Sequence, residues 1–128
     1  NVEVQFADIG DLGLSNEVEA AFTALNLHDS ANRGDEAGMA FVNGIYAALE
    51  PGGVLGFVDH VGIAGQDNQA LHRIEKATAI DMLTRAGFVI EAESDILMNS
   101  ADDHTLSIRD DSIRFVTDRM LIRARKPE

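Results

Sequence analysis

Cysteine is absent from the chain, which excludes disulfides, thiolate metal sites and thiol catalysis. Basic residues are scarce: 10 Lys and Arg stand against 22 Asp and Glu, for a net charge of −12. Nucleic acid is gripped by cationic side chains that this chain lacks in number, so it is not an expected partner. The same charge disfavours an anionic membrane surface. No apolar run approaches the roughly 18 residues of a membrane-spanning helix. No signal peptide is evident, and Asn1 opens on what reads as a strand, in the manner of a cut edge. A soluble protein of the cytoplasm or periplasm is expected. The chain's 128 residues, 45% of them hydrophobic, are enough for one domain with a real core.

The stretch Leu49 to His60 organises the rest. Pro51 cannot continue a helix and holds Glu50 away from helical angles, so a preceding helix must stop there. Gly52 and Gly53 suit a tight turn. Val54 to Val58 is a continuous apolar run of the kind that fills a central strand covered on both faces. Asp59 and His60 then fall at the strand's carboxyl end, where open α/β sheets bind their ligands.

Around that strand, Asn1 to Asp8 alternates as a half-covered strand, with Val2, Val4 and Phe6 on one side. Gly10 to Asn16 reads as a loop, and Val18 to Leu27 as a second strand with Asn26, His28 and Asp29 gathered at its end. Asp35 to Leu49 has helical spacing, with Met39, Val42, Ile45, Tyr46 and Leu49 on one stripe and acidic residues in the first turn. A Gly-rich loop from Val61 leads to a helix expected over Ala70 to Ala86, closed by Gly87. Its apolar stripe is untidy, since Leu71, Ile74, Ile80 and Leu83 do not share one narrow face. Phe88 to Ala92 reads as a strand continuing towards Ile96-Leu97-Met98. Asp102, Asp103 and His104 read as a solvated turn, and Arg119 to Arg125 as a final antiparallel strand. The alternation of strands and helices is α/β.

This order, with Leu49-Glu50-Pro51-Gly52-Gly53 before the central strand and Arg85-Ala86-Gly87-Phe88 before a last strand pair, resembles the C-terminal part of class I S-adenosylmethionine-dependent methyltransferases. His28-Asp29, Val58-Asp59-His60 and His72-Arg73-Ile74 look more narrowly like a bacterial group of predicted methyltransferases of unassigned substrate. The resemblance implies a partial Rossmann-like sheet of about five strands, mostly parallel with an antiparallel C-terminal hairpin, flanked by helices. It implies one domain over 1–128 without the family's first two strands. It also implies S-adenosylmethionine as cofactor and a small molecule as substrate. Asp8, ending the strand equivalent to the family's third, and Asn26, ending the next, are the cofactor-side residues. The family's glycine-rich cofactor loop is not in this chain, because no helix follows Gly10-Asp11-Leu12-Gly13. Lacking its neighbours, the strand at Val2 must pair with Val18 to Leu27 or with another molecule.

His28, Asp29, Asp59 and His60 form the sharpest constellation. If their strands are neighbours, both pairs emerge at one sheet edge. One His can then act as a general base poised by a carboxylate. With His72 the same residues can hold zinc or iron. Asp and His also cap helices and satisfy loop backbone. Arg73 pairs with Asp59 or faces solvent in this reading. Three functions follow: a methyltransferase-like enzyme, a non-catalytic homodimeric interaction module with a partner on the uncovered sheet edge, and a metal-dependent hydrolase.

Overall fold

In the computed structural model, which describes residues 1–128, the first regular element is β1 (Val18–Ala24). There follow α1 (Leu27–Ala31), α2 (Asp35–Ala48), β2 (Leu49–Gly62), α3 (Asn68–Leu71), β3 (Ile74–Glu75), α4 (Lys76–Ala86), β4 (Val89–Ser94) and β5 (Arg119–Arg125). The sheet runs β1-β2-β5-β4, and β3 pairs with the far end of β2. β1 and β3 lie parallel to β2, whereas β5 is antiparallel to β2 and β4. The expected α/β class, a sheet of five strands and the antiparallel C-terminal pair are present, with β3 in place of the strand expected over Asn1 to Asp8.

The core lies between one sheet face and the helices. Side chains alternate along a strand, and Leu55 and Phe57 of β2 stand opposite Ala124 and Ile122 of β5. All four are buried in one cluster with Phe41, Val42 and Ile45 of α2 and Ala79, Met82 and Leu83 of α4. These helical positions recur at three- and four-residue spacing, which turns one stripe inward. α2 ends where Leu49 goes extended ahead of Pro51. The Glu50–Gly53 turn then bulges out of β2, so that Val18 pairs with Leu49 but Ala20 with Val54. Gly52 sits in the left-handed region (φ 84°) and donates its N–H to the Lys126 carbonyl. The opposite sheet face exposes Ala20, Phe22 and Arg123, and the Phe22 ring lies over Gly56 of the neighbouring strand.

Three expectations are corrected. Asn1 to Asp8 is not a strand: Val2 and Phe6 are 93% and 97% exposed. An alternating segment is stable as a strand only when a neighbour takes its backbone hydrogen bonds, and here no strand pairs with it. The chain instead crosses α2, with the Ile9 carbonyl against Gly44; a Cβ there would lie 2.0 Å from that oxygen. The Asn16 and Glu17 amides donate to the carbonyls of Ala47 and Ala48. Second, the helix expected over Ala70 to Ala86 is two helices separated by β3. Its untidy stripe has that cause, since Leu71 belongs to α3 and Ile74 to β3, where it stands opposite Val61. Third, Leu27 begins a helix rather than ending a strand, and the strand after Phe88 stops at Ser94, leaving Ile96 and Met98 exposed.

Candidate functional site

β1 and β2 are adjacent and parallel, with Ala24 opposite Val58. Their carboxyl ends therefore deliver α1 and the Asp59-His60 pair to one place. Asp59 is wholly buried and is the hub. Its Oδ2 accepts the His28 backbone N–H at 2.9 Å, and its Oδ1 accepts the His60 backbone N–H at 2.8 Å. His28 Nδ1 lies 2.7 Å from Asp59 Oδ1. A carboxylate offers only acceptors, so Nδ1 carries a proton. Nε2 faces Asp29, 3.4 Å from its Oδ1. Asp29 Oδ1 also lies 3.2 Å from His72 Nδ1. The ring centroids of His60 and His72 are 5.5 and 6.0 Å from that of His28.

His60 plays a different part from His28. Thr117 Oγ1 accepts from Arg119 Nε at 3.2 Å and stands 2.7 Å from His60 Nδ1. The hydroxyl proton is thus free to go to Nδ1, which suits a neutral His60. Burial, opposed by Asp59 and helped by His28, Arg119 and Arg73, pushes the His60 imidazole down to about 4. The unfolded chain, with an ordinary imidazole near 6.5, binds a proton that the folded chain refuses between those values. Stability is therefore full above pH 6.5 and falls as pH drops towards 4. A loss of about 2 kcal/mol is expected between pH 7 and 4.5, allowing for solvent screening at a strand tip. Urea midpoints for the native chain and His60→Gln check it: the variant's profile should flatten over this window, and two parallel profiles would remove His60 as the cause.

Asn26 stands at the tip of β1 as the residue preceding α1, exposed, with its Nδ2 on the Ala24 carbonyl at 2.7 Å. Asp8 is elsewhere. It closes a turn over α2, accepting the Gly10 N–H at 2.8 Å, and shares no hydrogen bond with the His28 cluster. The strand that was to present it is missing. α1 is tied to the next loop by Asn32, whose Nδ2 donates to the carbonyls of Asn68 and Arg73. Above it opens a cleft of about 400 Å³ lined by Asp29, Asn32, Arg33, Gln69 and His72. A larger cleft, about 550 Å³, lies beside Lys76, Glu93, Asp118 and Arg119, where Lys76 pairs with Glu93 and Asp118 with His104.

The chain reading missed the role of Arg73. It neither meets Asp59 nor faces solvent. Fully buried, it forms a two-pronged pair with Asp102, at 2.8 and 3.0 Å. It also donates to the carbonyls of Val61 and Leu106. Asp102 in turn accepts the backbone N–H of His104 and Asp118. Burial alone would raise the Asp102 carboxyl, but Arg73 and these two amides outweigh it and hold it below the usual carboxylate range. The expected solvated turn is the anchor of the 95–118 connection, which supplies Thr117 to His60. Arg123 and Arg125 of β5 both pair with Glu91 of β4.

By sequence, the chain matches no protein-family profile and no curated protein. By structure it is similar to many solved proteins. The [4+2]-cyclase SpnF superposes at a TM-score of 0.66 and 20% identity, over 96% of this chain and 55% of the cyclase. A Burkholderia thailandensis 1,6-didemethyltoxoflavin-N1-methyltransferase, solved with 1,6-didemethyltoxoflavin and S-adenosylhomocysteine, gives 0.65 and 16%, over 95% of this chain and 49% of the enzyme. An S-adenosylmethionine-dependent methyltransferase from Mesorhizobium loti gives 0.55 and 19%, over 93% and 67%. At these identities the likeness is one of fold. The chain has the fold of part of a class I methyltransferase and spans about half the length of the first two.

Proposed function

We propose that this chain is the substrate-side part of a methyltransferase-like domain, holding a small polar molecule at the tips of β1 and β2. His28 is the general base, Asp59 its orienting partner, and Asp29 and Asn32 line the approach. His60, neutral near pH 7, positions His28 from the side. The observation that carries this reading is the grip of Asp59 on both the backbone and the ring of His28. It leaves Nε2, 3.4 Å from Asp29 Oδ1, as the basic nitrogen, reached past the exposed Asp29 carboxylate, and a base must be held in a fixed tautomer and direction to work. The lone pair of His28 Nε2 takes the proton of a substrate O–H or N–H.

The residues present do not fit S-adenosylmethionine on their own. Asn26 is at the right strand tip, but one of its two amide N–H groups is turned back onto the Ala24 carbonyl. Asp8 is away from the tips, and no strand, glycine loop and helix follow one another to cradle the cofactor. A methyl donor would need further residues, and no step is derived through it.

Nitrogen-15 NMR of the histidine rings, with calorimetric titration of S-adenosylhomocysteine, tests the proposal. His28 is expected to be protonated at Nδ1 and bare at Nε2, with no ligand heat below millimolar for a monomer. The opposite tautomer would remove the base. Micromolar binding by a monomer would overturn the assignment of this chain to the substrate side alone.

A second reading, a homodimeric interaction module, is favoured by the unpaired edge of β1 and by Phe22, 70% exposed on the uncovered sheet face. An open strand edge invites another chain. Light scattering at twice the chain mass, abolished by Phe22→Lys, is its expected signature; a monomer at all concentrations would sink it.

A further inference from the structure

We propose that His28, Asp29 and His72 form a binding site for a divalent transition-metal ion of the zinc and ferrous-iron type. The idea rests on the strand-tip site of the proposed function and uses the same His28 Nε2, so a bound ion takes the place of the proton transfer assigned to that nitrogen. Of the five residues whose types suit a metal, the geometry leaves three. Asp59 is spent on three donors, and His60 Nδ1 is spent on Thr117. The ligand atoms of His28, Asp29 and His72 all lie within 4.8 Å of one another.

Distances and donor types agree with a metal centre. His28 Nε2 and His72 Nδ1 stand 3.4 and 3.2 Å from Asp29 Oδ1. Ligands at zinc bond lengths and tetrahedral angles are separated by roughly 3.3 Å. Two edges of the coordination polyhedron therefore already have the required length. Two imidazoles and one carboxylate, with remaining positions open, are a donor set that suits zinc or ferrous iron. Asp29 and His72 also line the cleft shared with Asn32, Arg33 and Gln69, which gives a small molecule access to two of the three ligands.

The surroundings also prepare the ligands. A metal-binding imidazole usually donates its other N–H to a carboxylate, which fixes the ring and raises its basicity. Asp59 does this for His28, and it is buried where it has no other task than these hydrogen bonds. His72 is presented by backbone in the left-handed region (φ 55°) at the end of α3, a conformation uncommon for a residue with a side chain. Asn32, bonded to the Arg73 and Asn68 carbonyls, holds the loop carrying His72 against α1.

The test uses the full chain, stripped with a chelator and titrated with zinc in a calorimeter. One ion per chain is expected to bind saturably. His72→Ala and Asp29→Ala, both at partly exposed positions, should each weaken binding at least about tenfold without changing the circular dichroism spectrum. His104→Ala, at the pair with Asp118, should leave affinity unchanged. Cobalt in place of zinc should give visible absorption bands that vanish in His72→Ala. No saturable binding, or equal affinity in the two site variants, would overturn the inference. Nitrogen-15 NMR of the metal-free chain separates the two ideas. A bare His28 Nε2 without zinc binding leaves the base and removes the metal; zinc binding with the opposite resting tautomer does the reverse.

Discussion

Arg73→Leu is expected to cost about 3–5 kcal/mol of stability and to lower the melting temperature by roughly 10–25 °C for a chain of this size. The size of the effect comes from what stays behind. Asp102 is buried, and removing the guanidinium leaves its carboxylate in a poor solvent with only two backbone amides to satisfy it. The carbonyls of Val61 and Leu106 lose their donors as well, and each unmade buried hydrogen bond costs about 1–3 kcal/mol. Against a typical total of about 5–15 kcal/mol, the variant stands near unfolding.

Two companion measurements show whether the charge or the shape is responsible. Arg73→Lys keeps a cation but loses the two-pronged geometry, and should fall between the native chain and Arg73→Leu. The native pair should also weaken on acidification. Asp102 is held below its ordinary value, so the pair's contribution is present above the unfolded carboxyl value near 3.9 and is lost as pH falls through the lower folded value. Arg73→Leu, melted at neutral pH within 1 °C of the native chain, would remove the pair as the anchor of the 95–118 connection.

That anchor marks the limit of what the chain discloses in advance. Repeating patterns were legible: the stripe of α2, the stop at Pro51, the apolar β2 and the alternation of β5 each depend on nearest neighbours in sequence. So was the meeting of His28-Asp29 with Asp59-His60, because two strands of a parallel pair end at the same edge. Two kinds of fact were not. Asn1 to Asp8 has the alternation of a strand, yet a strand is a property of a pair, and period alone carries no information about a partner. Arg73 and Asp102 are 29 residues apart, and in single-sequence terms each has the composition of a surface position. Only the break of the expected helix at His72 hints at them. An apolar stripe that does not fit one face was the available signal that Leu71 and Ile74 belong to different elements.

Asp59→Asn is the sharper test of the site itself. The change is almost isosteric, yet three N–H donors converge on the two oxygens it alters. Whichever way the amide is turned, its NH2 meets at least one of those donors, so a buried donor faces a donor. A loss of about 2–4 kcal/mol is expected from one or two unmade bonds and the crowding between them. The amide can still accept from the His28 ring only if its oxygen takes the Oδ1 place; its nitrogen then confronts the His28 backbone N–H. The reverse orientation favours the His28 tautomer protonated at Nε2, which silences the Nε2 lone pair. A shifted tautomer in the NMR spectrum, together with zinc affinity lowered about 10–100-fold, would tie Asp59 to both uses of His28. Asp29→Asn provides the contrast: at an exposed position it should move stability by no more than about 0.5 kcal/mol while still weakening the ion. If Asp59→Asn instead leaves stability and tautomer as they were, His28 is held by α1 alone and the strand-tip hub has no part in directing it.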